Sequence, residues 1–399
     1  MYPLKTIPSK TDINKTMKNF VLLRILEFEP IFRSPKTYFT AYNFMLENRV
    51  NKQILKERIK YEAFSRKTLS FYKYVNIENP VEFRNRLFSE WSELDCFGRI
   101  YIAREGINAQ MSVPEHNLGR FLLHLYSLPE LTGVPIKYAI VDDGKSFYKL
   151  TIKVRPKIVA DGLEYGSYDL SKVGTHLSAL EFHELSAQPE TLVIDMRNHY
   201  ESEIGRFENA VCPDADTFKD AIQMVINEFE TQKDRKILLY CTGGIRCEKA
   251  SSFLIHNGFK DVSQLYGGII EYAQQIKLLG LQSKFIGKNF VFDERLGETI
   301  DGQVISHCHQ CGKAADIHVN CANDDCHLLF IQCAACAEKY EKCCSEECSG
   351  IIHLPIEARR QLRITNHKKY EGSKIYKSKL SPFLLDRNLN LEQKMSING

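Results

Sequence analysis

The sequence predicts a multidomain chain that joins an α+β unit, an α/β unit with a parallel sheet and a small cysteine-rich metal-binding module. Three observations carry this. Residues 69–160 alternate in the order strand, helix, strand, strand, helix, strand; residues 187–282 alternate apolar β runs with helical stretches; and nine of the thirteen cysteines crowd between Cys308 and Cys348. A chain of 399 residues has room for two or three cores. Its 44% hydrophobic and 26% charged residues form an ordinary globular composition, and a net charge of +3 is too small to argue for nucleic acid by itself.

Residues 1–68 read as an N-terminal extension and a lead-in helix. Residues 1–44 show no periodicity, whereas Met45 opens a basic, helix-prone run to Lys60, so Met45 is the expected physiological start. The apolar patch at 20–32 carries Arg24, Glu27 and Glu29. Those charges argue against a secretory signal and against a membrane span. The expected location is the cytoplasm, where thiols stay reduced.

In the α+β unit the first strand covers 69–75, and a helix follows Asn79-Pro80 and runs through Trp91. Strands at 98–103 and 107–113 flank Arg104-Glu105-Gly106, a second helix spans 115–128, and residues 147–154 form the last strand. This is the ferredoxin-like βαββαβ plan. In and just after the last strand, Lys149, Lys153, Arg155 and Lys157 fall on alternate positions and hence on one face. With Phe147 and Tyr74 nearby as stacking surfaces, that face reads either as an RNA contact or as a solvated sheet surface. Residues 161–186 are expected to be a linker with turns at Gly162, Gly166 and Gly174 and a short helix at 178–186.

Residues 187–282 hold the chemistry. The apolar run Ile237-Leu238-Leu239 leads into Tyr240-Cys241-Thr242-Gly243-Gly244-Ile245-Arg246-Cys247, and a helix begins there. Loop amides and the helix N-terminus stabilise a thiolate, so Cys241 is expected to be acidic and nucleophilic. Gly243 and Gly244 permit positive φ, and Arg246 supplies a fixed cation able to hold an anion above the sulfur. Cys247 reads as a resolving thiol or as an inward-packed helix residue. The spacing from Cys241 to Arg246 is one residue short of the cysteine phosphatase loop. The loop therefore resembles the rhodanese cradle, sized for a cysteine persulfide.

That resemblance extends along the unit. Leu192-Val193-Ile194-Asp195-Met196-Arg197 matches the strand-Asp-x-Arg signature, which makes Asp195 and Arg197 accessory candidates. The segment from Glu201 to Ala210 resembles a second rhodanese motif, with Arg206 for His and Asn209 for Gly; Tyr266-Gly267-Gly268 resembles the final double-glycine turn. In parallel sheets ligands bind at the carboxyl ends of the strands, where Cys241 lies.

The module at 283–350 presents its cysteines as Cys308/Cys311, Cys321/Cys326, Cys333/Cys336 and Cys343-Cys344/Cys348. Such pairs suit two tetrahedral zinc ions, the first pair joining the third and the second joining the fourth, with Cys343 and Cys348 as the last pair. An iron–sulfur cluster is the competing occupant. Residues 351–399 form a basic tail with interleaved Tyr370, Tyr376 and Phe383, suited to phosphate contacts or to free solvation.

A closer resemblance covers residues 69–348. Phe71-Tyr72-Lys73-Tyr74, Gly106-Ile107-Asn108-Ala109-Gln110, Asp142-Asp143-Gly144-Lys145-Ser146-Phe147, Ile158-Val159-Ala160-Asp161-Gly162, the loop from Cys241 to Lys249, the segment from Phe285 to Arg295 and Cys308-His309-Gln310-Cys311-Gly312 occur together and in order. On these the chain resembles the rhodanese-like, oxygen-dependent tRNA uridine(34) hydroxylases. The resemblance implies an oxidoreductase that makes 5-hydroxyuridine at the wobble position, with molecular oxygen as co-substrate, the tRNA anticodon arm as partner and Cys241 as the reactive residue. A rhodanese-type sulfurtransferase and a non-enzymatic rhodanese-like binding module are the alternatives.

Overall fold

The structure, a computed structural model, describes residues 52–365 and 375–376. The expected extension, Met45 and the tail residues Tyr370 and Phe383 lie outside the described residues. Helix α1 (Lys52–Lys60) precedes the first unit, which comprises β1 (Arg66–Tyr74), α2 (Pro80–Glu93), β2 (Phe97–Ala103), β3 (Gly106–Pro114), α3 (Leu118–Ser127), β4 (Lys137–Tyr138) and β5 (Leu150–Val154). Asn79 caps α2 through its side chain and Pro80 opens it, the expected arrangement for a proline whose missing N–H costs nothing at that position.

The five strands form one sheet in the order β4-β1-β3-β2-β5. The βαββαβ plan stands, but the strand expected to close it does not occupy that place. Lys137–Tyr138 pairs antiparallel with β1, and β5 extends the opposite edge by pairing parallel with β2. Two residues are too few to announce a strand by alternation, so the longer apolar run took the role on paper. One face of the sheet buries Leu69, Phe71, Ile100, Ile102, Ala109 and Met111 against α2 and α3, with Trp91 at the centre. The alternate positions Ser70, Tyr72, Tyr101, Asn108 and Gln110 lie on the other face, as the strand period requires.

The second unit contains β6 (Thr175–Leu177), α4 (Ala179–Leu185), β7 (Leu192–Asp195), α5 (His199–Ile204), β8 (Gly205–Phe207), α6 (Phe218–Glu228), β9 (Lys236–Tyr240), α7 (Ile245–His256), β10 (Asp261–Leu265) and α8 (Gly268–Leu278). Its parallel sheet runs β6-β10-β9-β7. The stretch expected to be a linker therefore contributes an edge strand, β6, and a packed helix, α4, begun by a Ser178/Glu181 capping box and anchored by buried Phe182. The glycine turns before β6 masked a strand only three residues long. Asn209 adopts φ +58°, which explains how asparagine replaces glycine in the rhodanese-like motif: Asn tolerates the left-handed region better than other side chains.

The last part contains β11 (Phe285–Asn289), β12 (Glu298–Thr299), β13 (His318–Asn320), β14 (Leu329–Ile331), α9 (Ala334–Lys339), α10 (Glu346–Ile352) and α11 (Ile356–Thr365). Strand β11 pairs with β8, tying this module to the second unit. Among the described residues no helix is long and apolar enough to cross a membrane.

The first two units are locked by buried ions. Lys249 of α7, wholly enclosed, donates to Glu105 at 2.9 and 3.0 Å, to Asp161 at 2.9 Å and to the Val159 carbonyl at 3.1 Å. Tyr74 donates to the Ile245 carbonyl at 3.1 Å. The non-core face of the first sheet is thereby held against the loop that follows β9.

Candidate active site

Strand β9 ends at Tyr240, and Cys241 begins the loop that leads into α7. Gly244, at φ +97°, turns the chain so that its amide donates to Cys241 Sγ at 3.1 Å. A Cβ on Gly244 would stand 2.9 Å from the Tyr72 hydroxyl and displace it, and the backbone angle itself disfavours a side chain. Across the loop, a Cβ on Gly268 would lie 2.5 Å from the Cys241 carbonyl oxygen. That close approach lets the Ile269 and Ile270 amides at the start of α8 hold the Cys241 and Thr242 carbonyls at 3.0 and 3.2 Å.

The Cys241 thiol is set by opposing effects. Burial pushes it up, but the Cys247 thiol donates to it, Arg246 lends positive charge and the amides of Arg246 and Cys247 point at it; together they bring it down to about 6. Cys247 moves the other way, well above its ordinary value, through burial and the bond it donates. Cys247 is thus an inward-packed residue of α7 in direct contact with the reactive sulfur.

Arg246 is not free to grip a ligand. Its guanidinium meets the buried Glu201 carboxylate at 2.6 and 2.8 Å and reaches the Thr242 hydroxyl at 3.3 Å. Burial would raise the Glu201 carboxyl, yet Arg246 and Arg197 hold it below its ordinary value. Asp195 and Arg197 form a second enclosed pair, 2.6 Å at the closest, with the Tyr240 hydroxyl on Asp195 and the Gly205 carbonyl on Arg197. That pair braces β7, β8 and β9 behind the loop and does not reach the cavity, because the last residue of a buried strand points into the layers flanking it.

The cavity above Cys241 measures about 370 Å³, within the range of small-molecule sites. Its floor is Cys241, Thr242, Gly243, Ile245 and Arg246; one wall is the non-core face of the first sheet, with Tyr72, Tyr101, Asn108 and Gln110; the other is the segment after β11, with Phe292 and Arg295. The Tyr72 hydroxyl donates to Glu248 at 3.0 Å, and Glu248 also meets His176 at 2.9 Å and the Gln264 amide at 3.1 Å. The stacking surfaces expected from Phe147 and Tyr74 are absent: Phe147 is buried and the Tyr74 hydroxyl is engaged by Ile245. Tyr72, Tyr101 and Phe292 are the rings that line the cavity walls instead.

The expected basic face is only partly present. Lys153 is exposed and lies in register with Tyr101, on the cavity side of the sheet, and exposed Arg155 sits over the Tyr101 ring at 5.7 Å. Lys157 instead turns back to Asp161 at 2.7 Å and to the Leu163 carbonyl at 2.8 Å. Lys149 precedes the strand, half-buried, with its ammonium 6.0 Å from the Tyr148 ring. The tail contributes Arg363, paired with Asp325, and the buried ring of Tyr376, 4.7 Å from His309.

Two cysteine clusters form in the last module. Cys308, Cys311, Cys333 and Cys336 make one and Cys321, Cys326, Cys344 and Cys348 the other, the sulfurs of each within 4.8 Å of one another. The cross-braced order of pairs is the expected one, but Cys344, not Cys343, faces the second cluster. The Cys344 amide also donates to Cys321 Sγ at 3.4 Å, while the Cys343 carbonyl accepts from Gln310 at 3.1 Å and Gln332 at 3.2 Å. Sulfur separations of 3.6 Å for Cys311–Cys333, 3.6 Å for Cys326–Cys344 and 3.7 Å for Cys344–Cys348 match the roughly 3.8 Å that four thiolates keep around one tetrahedral ion. Thiolates on separate irons of a polynuclear cluster would stand farther apart. Each donor set fits a single metal ion.

Sequence reasoning missed Glu201 as the partner of Arg246, Lys137 and the aromatic lining. Tyr72, Asn108 and Gln110 did carry a signal, as polar residues alternating with core positions inside two of the shared motifs. Lys137 carried none.

Comparison with known proteins places these features. Residues 66–158 match the UPF0176 acylphosphatase like domain, residues 178–275 the rhodanese-like domain and residues 286–349 the rhodanase C-terminal family. The chain is 52% identical over 337 residues to the tRNA uridine(34) hydroxylase of Leptospira interrogans, covering 84% of this chain and 91% of that one. To the enzyme of the same name from Photorhabdus laumondii it is 50% identical over 333 residues, 83% of this chain and 94% of that one. Among solved structures, a rhodanese-related protein from Thermoplasma volcanium aligns with 25% of this chain and 92% of its own at 20% identity and a TM-score of 0.21.

Proposed function

The chain belongs to the tRNA uridine(34) hydroxylase family, and from that premise we propose that it hydroxylates C5 of the wobble uridine of tRNA, with Cys241 as the nucleophile. The observation that carries this reading is the position of Cys241: an acidic thiol at the floor of a cavity whose facing wall is an aromatic and amide-bearing sheet surface. Chemistry on a base requires the base outside its stack. A uracil flipped into this cavity meets Tyr72, Tyr101 and Phe292 as stacking surfaces and Asn108 and Gln110 as amide partners.

The Cys241 thiolate adds to C6, the C5=C6 pair moves toward C4–O4, and C5 becomes electron-rich toward an oxidant. Replacing C5–H by C5–OH is a two-electron oxidation. With molecular oxygen as oxidant, the second oxygen atom leaves as water at the expense of two electrons and two protons from an external donor. The anticodon arm is the partner, entering past exposed Lys153 and Arg155. Each cysteine cluster would hold one structural zinc ion, and the setting is the cytoplasm.

The Cys241 loop is also sized for a persulfide, which supports sulfur transfer as the rival reading. Nucleoside mass spectrometry separates them. In tRNA from cells lacking the protein, wobble uridine that has gained one oxygen disappears; wild type restores it and Cys241→Ala does not. Loss of a thiolated nucleoside instead would move the protein to sulfur transfer.

A further inference from the structure

Four cations line the cavity: Arg99, Lys137, Arg246 and Arg295. Three are committed within the protein. Arg246 is neutralised by Glu201, Arg295 by Asp293 and Glu298, and Arg99 lies at an exposed edge with its guanidinium on the Phe292 carbonyl. Lys137 differs. It belongs to the two-residue strand β4, it is 5% exposed, and among the described residues its ammonium forms no ion pair or hydrogen bond. The ammonium rests 4.7 Å from the Tyr72 ring centroid, and the Lys137 stem passes the Gly267-Gly268 turn that supports the Cys241 loop.

A buried ammonium with no carboxylate in direct contact is costly, and a fold keeps one where an anion will meet it. The charges that face it come from each neighbouring element: Cys241 from the loop, Glu248 from α7 and Glu271 from α8, with the Tyr72 ring from β1. Burial pulls Lys137 below its ordinary value, while Glu271, Cys241 and Glu248 favour its charged form.

We propose that Lys137 is the cation reserved for negative charge generated at Cys241, first on the thiolate and then, once sulfur has added to uracil, on the O4 oxygen. In that step the S–C6 bond forms, the C5=C6 π bond breaks and its pair passes to the C4–O4 enolate. No proton or electron is exchanged with solvent, and the Lys137 ammonium donates a hydrogen bond to O4. This role rests on the proposed wobble-uridine chemistry. Arg246, locked by Glu201, keeps its place in the loop while Lys137 meets the base.

The test uses the full-length protein and the variants Lys137→Met and Lys137→Arg. Two quantities are read. One is the ionisation of Cys241, followed as ultraviolet thiolate absorbance against pH and taken as the difference from Cys241→Ser in the same background. The other is kcat and KM for 5-hydroxyuridine formation on unmodified tRNA. In Lys137→Met the Cys241 inflection moves to higher pH by about one unit, and kcat falls ~100-fold with KM little changed; Lys137→Arg retains most of both. An unmoved inflection, an unmoved kcat or a loss confined to KM would overturn the assignment. If wild type forms no 5-hydroxyuridine, the proposed function fails, and the titration still judges whether Lys137 supports the thiolate. Should Lys137→Met not fold, Lys137→Gln gives the same two readings.

Discussion

Arg246 and Glu201 meet face to face in a two-point ion pair, Nη1 to Oε1 at 2.6 Å and Nη2 to Oε2 at 2.8 Å, with the Glu201 side chain fully enclosed. The pair ties α5 to the first turn of α7. It converts the loop arginine from a ligand-binding cation into a strut whose residual field still reaches the Cys241 sulfur.

Removing the carboxylate tests the strut. Glu201→Gln leaves a buried guanidinium without its counter-charge, a change that destabilises folded proteins by about 3–5 kcal/mol. The Glu201 carboxyl lies below its ordinary value of 4.5 in the folded protein, so its contribution is present above that value and is lost as pH falls through the folded one. The stability gap between wild type and variant, measured by thermal unfolding, is therefore widest near neutral pH and narrows in acid. In the variant the unpaired Arg246 also draws the Cys241 inflection to lower pH.

Cys247 lowers the Cys241 value by donating its thiol hydrogen. Cys247→Ala removes that bond and raises Cys241 above about 6. For a rise of about one unit, the thiolate fraction at pH 6 falls roughly fivefold, whereas at pH 8.5 it barely changes. Hydroxylation rates should follow: depressed in mildly acidic buffer and restored by alkali. A pH-independent loss would mean that Cys247 acts as a redox partner instead.

The two cysteine clusters make a prediction that distinguishes adjacent residues. Elemental analysis of the purified protein should find two zinc ions per chain. Cys344→Ser should lose one of them and Cys343→Ser neither, because Cys344 faces Cys321, Cys326 and Cys348. Iron in place of zinc would reverse the metal assignment while leaving the choice between the two residues testable.

Lys249 is the centre of the contact between the first two units. Lys249→Met strands the Glu105 and Asp161 carboxylates in the interior, although Asp161 keeps its bond from Lys157. The expected cost is ~3–5 kcal/mol, seen as a lowered unfolding midpoint. Because the cavity lies between the same two units, KM for tRNA should rise as well. An unchanged midpoint would show that the ion cluster does not hold the units together.

Local pattern determined much of this protein. The strand, paired glycines and helix start around Cys241, the four cysteine pairs and the βαββαβ plan are all consequences of spacing along the chain, where neighbours in sequence are neighbours in space; which cysteine pairs join is not. Tertiary structure decided the rest. Arg246 finds Glu201 forty-five positions away, Lys137 lines the same cavity as Cys241 from a strand two residues long, and Cys344 takes the place expected of Cys343 in the second cluster. The cavity itself exists only where the polar face of one sheet closes over a loop from another. Charge and periodicity marked these residues as polar or buried; which buried charge is paired and which is left for a ligand is set by packing between distant elements.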